Sequence, residues 1–237
     1  MKRRDFILSA GATGLVIPAL GRGATPCPPP QMSVAGGSTV TTNCGKSYST
    51  NFPGTEDPIS ENGAWVHLGE YWSVVQTSPG FAYGTQTGGG GYDDSYAHLT
   101  GFGPDHTAQA TIRKGSNLSG IHEVELHLRW NDSTSSASGY ECNIAWDGGY
   151  CQIVRWNGAF GDWAYVATTT GVPAPQTGDV FKASIAGNLI IVYLNNQELI
   201  RGTDSTFTTG NPGMGFYREA TGSNTDYGFS SYSATSP

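Results

Sequence analysis

Apolar and polar residues alternate strictly through residues 121–131, Ile-His-Glu-Val-Glu-Leu-His-Leu-Arg-Trp-Asn. A period of two is the period of a strand. The segment therefore predicts a β-strand with Val124, Leu126, Leu128 and Trp130 turned to a core and Glu123, Glu125, His127 and Arg129 lining the opposite face. Side chains in such a row stand about 7 Å apart. Two acids, an imidazole and a guanidinium at that spacing suit the binding or cleavage of a polar substrate. The wet face of an ordinary antiparallel strand carries the same pattern.

Short apolar runs broken by Gly, Asn and Asp turns extend the pattern along the chain. They predict strands near 64–67, 71–76, 80–86, 95–99, 107–113, 121–131, 139–145, 149–156, 163–167, 179–186, 189–194, 197–201, 213–218 and 226–234. Gly187-Asn188 and Asn195-Asn196 sit between apolar runs and read as two-residue hairpin turns. No long amphipathic helix is predicted. So many short strands in one domain require an all-β fold of two stacked antiparallel sheets. The 34 glycines and the 13% of charged residues agree with a turn-rich β domain.

The N-terminus follows another logic. Lys2-Arg3-Arg4-Asp5-Phe6-Ile7 and the mild apolar run Leu8 to Leu20 resemble a twin-arginine export signal, with cleavage expected near Gly21 to Ala24. The run is too short and too rich in Gly and Ala for a membrane span. The expected organisation is a signal over 1–23, a Pro/Gly/Ser-rich leader over 24–50 with one short strand around Ser38–Thr42, and a β domain over 51–237. An exported protein, periplasmic or extracellular, is implied. Removing the four basic residues and one acid of the signal takes the formal charge from −7 to −10. That charge disfavours nucleic acid and anionic membranes as partners, and a neutral glycan suits it better than an anionic one.

Cys27, Cys44, Cys142 and Cys151 form no Cys-x-x-Cys pair. In an exported chain, two disulfides are expected. A four-residue loop Ala145–Gly148 would set Cys142 opposite Cys151, whereas a two-residue Asp147-Gly148 turn would leave them diagonal. Cys27 with Cys44 would staple the leader. A twin-arginine route exports folded protein from a reducing compartment, so these bonds form late or the thiols stay free.

Other candidates lie in loops. Residues 83–98 hold four consecutive glycines beside Tyr92, Asp93, Asp94 and Tyr96. This stretch is either a mobile hairpin tip or a place where sugar hydroxyls meet carboxylates and sugar faces meet rings. Trp146, Trp156 and Trp163 cluster around two turns and either stack on a ligand or close the end of the core. Trp65, Trp72 and Trp130 are assigned to packing. His67, His98, His106 and His122 show no zinc-ligand spacing.

From about residue 120 the order of features resembles the concanavalin A-like lectin/glucanase superfamily, in particular its laminin-G-like jelly rolls. The features are Glu123–Trp130, Gly139-Tyr140-Glu141-Cys142-Asn143-Ile144, Cys151–Gly158, Gly178-Asp179, Ile190–Asn195, Asp204–Phe207, Gly210–Phe216 and Ser230-Ser231-Tyr232. The resemblance implies a two-sheet jelly-roll sandwich holding a glycan on a concave face. Substrate contacts are then expected from Glu123, Glu125, His127, Arg129, Tyr92, Asp94, Trp156, Trp163 and Tyr217.

Catalysis is the alternative. Glycosidases of this fold carry a Glu-x-Asp-x-x-Glu or Glu-x-Asp-x-Glu strand, and Glu123-Val124-Glu125-Leu126-His127 departs from it at the third position and lacks the final glutamate. Alginate-type lyases carry a Gln-Ile-His strand and a Gly-x-Tyr, approximated by Glu125-Leu126-His127 and Gly215-Phe216-Tyr217. By that analogy Arg129 neutralises the uronate, His127 abstracts the proton and Tyr217 donates one, with Glu125 beside them. An adhesion module with no sugar site is the third class. The superfamily also implies a structural calcium, for which Asp204, Asp226 and Asn51 offer oxygens.

Overall fold

The computed structural model describes residues 45–88, 91–92, 94–116, 118–219 and 222–237. The export signal, the strand expected at Ser38–Thr42, Cys27, Cys44 and Asp93 lie outside them. Fourteen strands are present among the described residues: β1 (Ser47–Thr50), β2 (Ser73–Ser78), β3 (Phe81–Gly84), β4 (Ser95–His98), β5 (His106–Lys114), β6 (His122–Ser133), β7 (Ser136–Ala145), β8 (Tyr150–Gly158), β9 (Trp163–Thr170), β10 (Val180–Ala186), β11 (Leu189–Leu194), β12 (Gln197–Thr203), β13 (Asn211–Arg218) and β14 (Tyr227–Thr235). No helix among the described residues is long and apolar enough to cross a membrane.

The strands form two sheets of a jelly-roll sandwich. The first runs β12-β11-β10-β5-β14-β3-β2, with β1 also pairing β14. The second runs β4-β13-β6-β7-β8-β9. All these neighbours are antiparallel. β2 links the sheets: Val75–Ser78 pairs β3, while Ser73 and Val74 run parallel to β4. The Asn195-Asn196 turn has positive φ at both residues and Gly187-Asn188 only at Gly187, the geometry two-residue hairpins demand. β1 begins four residues ahead of the expected domain boundary. The expected strand at 64–67 reduces to one bridge between Val66 and His98.

The core between the sheets is built by alternation. Val124, Leu126 and Leu128 of β6, Cys142 and Ile144 of β7, and Met214 and Phe216 of β13 meet Ile112, Phe181, Ile190, Val192 and Phe229 from the first sheet, all almost wholly buried. At about 25 cal/mol per Å² of apolar surface removed from water, this layer supplies most of the drive to fold.

Beyond Leu128 the alternation of β6 breaks. Arg129 adopts φ 50°, and the register with β7 slips between Leu128 and Asn131. The break is a β-bulge: one extra residue rotates everything after it. Trp130, expected in the main core, turns to the outer face of the second sheet. There it packs with Trp72, Tyr96, Ala137, Val154 and Trp156 in a second apolar cluster. Trp65 remains in the main core.

Cys142 and Cys151 are both buried and free. The β7–β8 register pairs Cys142 with Ile153 and Ile144 with Cys151. The hairpin is therefore centred between Asp147 and Gly148, which leaves the sulfurs diagonal. The expected disulfide between them is corrected by that register. Burial pushes the Cys142 thiol well above its ordinary pKa and the Cys151 thiol up to about 12.

Candidate functional site

The outer face of the second sheet, turned away from the core, carries an open pocket with a cavity volume of about 150 Å³. Strand pairing assembles its floor. Across β13, β6, β7 and β8 the register aligns Tyr217 with Glu123 and Ala145, Gly215 with Glu125, Asn143 and Gln152, and Gly213 with His127, Glu141 and Val154. Every residue in those rows shares one face, because each strand alternates. Trp156 opposite Trp163, and Val154 opposite Tyr165, extend the floor onto β9. Gly91, Tyr92 and Asp94, from the loop that leads into β4, complete the lining.

Of the residues singled out from sequence, Tyr92, Asp94, Glu123, Trp156, Trp163 and Tyr217 line this pocket. Glu125 and His127 share its face but lie deeper, at 0% and 1% exposure. Arg129 does not join them. The bulge carries its guanidinium to the opposite side, where it donates to the carbonyls of Pro104, Phe207 and Gly187 and to Asp105. Glu141, Asn143, Gln152 and Tyr165 are lining residues that sequence reasoning passed over. The alternation Glu141-Cys142-Asn143 carried a signal for two of them. Which face it marked depended on a register that the bulge resets.

Aromatic rings surround the polar floor. Trp163 contacts Tyr165 edge-on at 4.9 Å and Tyr92 at 6.3 Å, and Tyr92 meets Phe160 at 6.2 Å. Phe160 leans on Trp72 and Tyr71. Tyr71, Tyr92, Phe160 and Tyr165 are all exposed. Trp146 has a different place: its indole N–H donates to the Gly120 carbonyl and Lys114 lies over its ring, so it closes one end of the sandwich.

The floor is acidic in composition, with Glu141 in it and Glu125 below it buried. Burial, reinforced by the charge of Glu141, raises the Glu123 carboxyl to about 8, and a short hydrogen bond from the Tyr150 hydroxyl opposes the rise. Burial likewise raises Glu125 and Glu141; for Glu141 the opposing hydrogen bonds come from Trp156 and Asn143. Burial lowers His127 to about 3, with His98 adding to the effect. No lysine or arginine is among the described residues lining the pocket.

The lyase arrangement does not assemble. Tyr217 pairs with Glu123 while His127 lies four residues along β6, about 13 Å by strand rise. Trp130 covers the His127 ring, and Arg129, the expected neutraliser, faces the other way. Two of the expected calcium ligands are engaged elsewhere. Asp204 already accepts from Tyr140, Thr206 and Arg155, and Asp226 caps the turn at Ser223. Among the described residues, one group of three His, Cys or carboxylate side chains is close enough to share a cation: Glu125, His127 and Glu141, with donor atoms all within 4.8 Å of one another.

No protein-family model matches the chain, and no curated protein sequence matches it. Solved structures do. The chain is similar to the potassium-bound carbohydrate recognition domain of Emp46p, with a TM-score of 0.54 and 14% identity over 79% of this chain and 95% of that one. It is similar to the exoplasmic/lumenal domain of VIP36 in its Ca2+/Man3GlcNAc-bound form, at TM-score 0.53 and 12% identity over 74% and 84% of the two chains. It is also similar to the carbohydrate-binding module CBM66 from Bacillus subtilis, at TM-score 0.50 and 16% identity over 75% and 95%. At such identities the likeness speaks for architecture: this chain has the lectin-like jelly-roll sandwich of those carbohydrate-binding domains.

Proposed function

We propose that this chain is an exported glycan-binding protein that takes a neutral or weakly charged sugar in the pocket on the outer face of the second sheet. One observation carries the reading. A floor of hydrogen-bonding groups, Glu123, Glu141, Asn143, Gln152 and Tyr217, is ringed by Tyr92, Trp156, Trp163 and Tyr165. A sugar has the same two kinds of surface. Its hydroxyls need donors and acceptors, which amides, carboxyls and a phenol provide, and its C–H faces pack on aromatic rings. The acidic floor without a cationic lining residue argues against a uronate polymer, which would need a positive partner. The likeness to a carbohydrate recognition domain, a glycan-bound lumenal domain and a carbohydrate-binding module supports the same reading. Export rests on Lys2-Arg3-Arg4-Asp5-Phe6-Ile7 and the apolar run behind it.

The test is affinity electrophoresis of the purified chain through gels containing a panel of neutral polysaccharides, repeated with Trp163→Ala and Tyr92→Ala. Retention on at least one glycan is expected, with each variant weakening it about tenfold, roughly the 1.4 kcal/mol of one lost stacking contact. Tyr193→Ala, on the first sheet, should migrate as the parent does. Absence of retention on every glycan, or retention indifferent to both pocket variants, would overturn the reading.

A further inference from the structure

We propose that Glu125, His127 and Glu141 form a binding site for a first-row divalent cation, of the zinc or manganese class, at the base of the pocket, with Glu141 in the floor and Glu125 and His127 below it. The site stands on its own geometry and does not depend on what the pocket above it binds.

The geometry comes first. One donor atom from each side chain lies within 4.8 Å of the other two, and His127 Nε2 is 3.1 Å from Glu125 Oε2. Donor atoms around a four- or six-coordinate cation with bonds of about 2.1 Å stand about 3–3.5 Å apart. The cluster is therefore within about 1.3–1.8 Å of a coordinating arrangement. Exposure is 0% for Glu125, 1% for His127 and 4% for Glu141, so bulk water does not satisfy these groups.

Charge balance comes second. Two carboxylates share a buried volume whose described hydrogen bonds come from an indole, an amide and an imidazole, and no lysine or arginine among the described residues is ion-paired to them. Buried carboxylates need a counter-charge or a proton. A divalent cation neutralises two of them at once and leaves the imidazole as a neutral ligand.

Unused donor capacity is the third observation. Glu125 Oε1, His127 Nδ1 and Asn143 Oδ1 are buried without a hydrogen-bond partner. Asn143 sits opposite Glu125 in the β6–β7 register, so its free oxygen is a fourth donor beside the cluster. Glu141 is already oriented, with Trp156 Nε1 donating to Oε2 at 2.6 Å and Asn143 Nδ2 donating to Oε1 at 2.7 Å. That support resembles the hydrogen bonds that aim metal-binding carboxylates. Space is reserved as well. A Cβ on Gly215 would stand 2.1 Å from Glu125 Oε2 and 2.8 Å from His127 Nε2, so a larger residue there would push the donor ends of both side chains aside.

The donor set selects the cation. One imidazole and carboxylate or amide oxygens suit zinc or manganese. Calcium asks for six to eight oxygens and no nitrogen, which these residues do not offer.

The untagged full chain, stripped with chelator, is dialysed against zinc chloride and separately against manganese chloride, and its metal content is measured. One ion per chain is expected for at least one metal. Removing ligands by Glu125→Gln or His127→Ala should weaken binding more than tenfold, with circular dichroism confirming that each variant is folded. X-ray absorption of the zinc-loaded parent covers the case where a variant fails to fold, and a shell of nitrogen and oxygen with one imidazole is expected. No stoichiometric uptake of either metal would overturn the proposal and mean that the carboxyls are held neutral by protons. Sulfur in the shell, or folded variants that bind as the parent does, would overturn it too. Glycan retention of the stripped protein is scored separately, so failure here leaves the sugar reading standing or falling by its own assay.

Discussion

The Trp130 indole lies on the His127 imidazole with ring centroids 3.9 Å apart and planes 18° from parallel. The two residues are three positions apart on β6, a separation that a regular strand sends to opposite faces. Arg129 absorbs the difference by taking a left-handed conformation, φ 50°. One bulge thus covers the buried histidine with a ring and sends the neighbouring guanidinium to the far side. There it ties the loops around Pro104, Gly187 and Phe207 to the strand.

Arg129 is consequently a stability residue. Arg129→Ala is expected to lower the unfolding free energy by about 3 kcal/mol, because three carbonyls and one carboxylate lose a charged donor. Arg129→Gly loses the same bonds but adopts φ 50° freely, so it should be about 1 kcal/mol more stable than the alanine variant. Urea unfolding of the pair checks both figures. Glycan retention by the folded fraction should not change, since Arg129 is absent from the pocket lining.

Of the three tryptophans grouped together by sequence, Trp156 and Trp146 separate by function. Trp156→Phe keeps an aromatic ring but removes the 2.6 Å hydrogen bond that aims Glu141. It should weaken sugar binding by up to about tenfold and cost about 1.5 kcal/mol of stability. Trp146→Phe loses its bond to the Gly120 carbonyl and should cost stability alone. Isothermal titration with the best glycan from the panel, beside thermal unfolding, distinguishes them.

Much of the sandwich was legible in the chain because strands and hairpins write themselves locally. Alternation in 121–128 located the core face of β6, and the paired asparagines at 195–196 announced their turn. What stayed hidden depended on register. Arg129 is indistinguishable by sequence from its alternating neighbours, and only tertiary bonds to three distant loops make its left-handed conformation worth adopting. That single residue decided the face of Trp130, and it set Glu141 rather than Arg129 beside His127. Ser47–Thr50 was missed for a related reason: its strand character comes from pairing with β14, not from its own composition.

Free thiols at Cys142 and Cys151 make a chemical prediction. In a Cys27→Ser, Cys44→Ser background, native protein should show no reaction with a thiol reagent, and both cysteines should react once denaturant is added. Burial explains the inertness, since it withholds the thiolate and blocks access. Reductant should leave the melting temperature of that background unchanged. A reductant-dependent melt would mean that the two sulfurs are bonded and the β7–β8 register is wrong.

His106 makes the fold sensitive to acid. Its Nδ1–H donates to the Gly103 carbonyl at 2.8 Å and its Nε2 accepts from the Arg129 backbone N–H at 3.1 Å, so the neutral ring is built into the bulge. Burial lowers its pKa to about 4, and the Arg129 charge adds to the effect, while the bond to Gly103 and the Asp105 carboxylate oppose it. In the unfolded chain the same ring titrates near 6.5. Between pH 6.5 and pH 4 the unfolded state therefore binds a proton that the native state refuses, and stability falls as pH falls through that window, then levels below it. The full loss is on the order of 3 kcal/mol. His106→Gln retains an acceptor for the Arg129 N–H without a titrating ring. It should reduce the acid slope of the unfolding free energy measured between pH 6.5 and pH 4, with a residual slope from other histidines whose pKa burial lowers, the buried His127 and the half-buried His67. An unchanged slope would remove His106 from the account of acid stability.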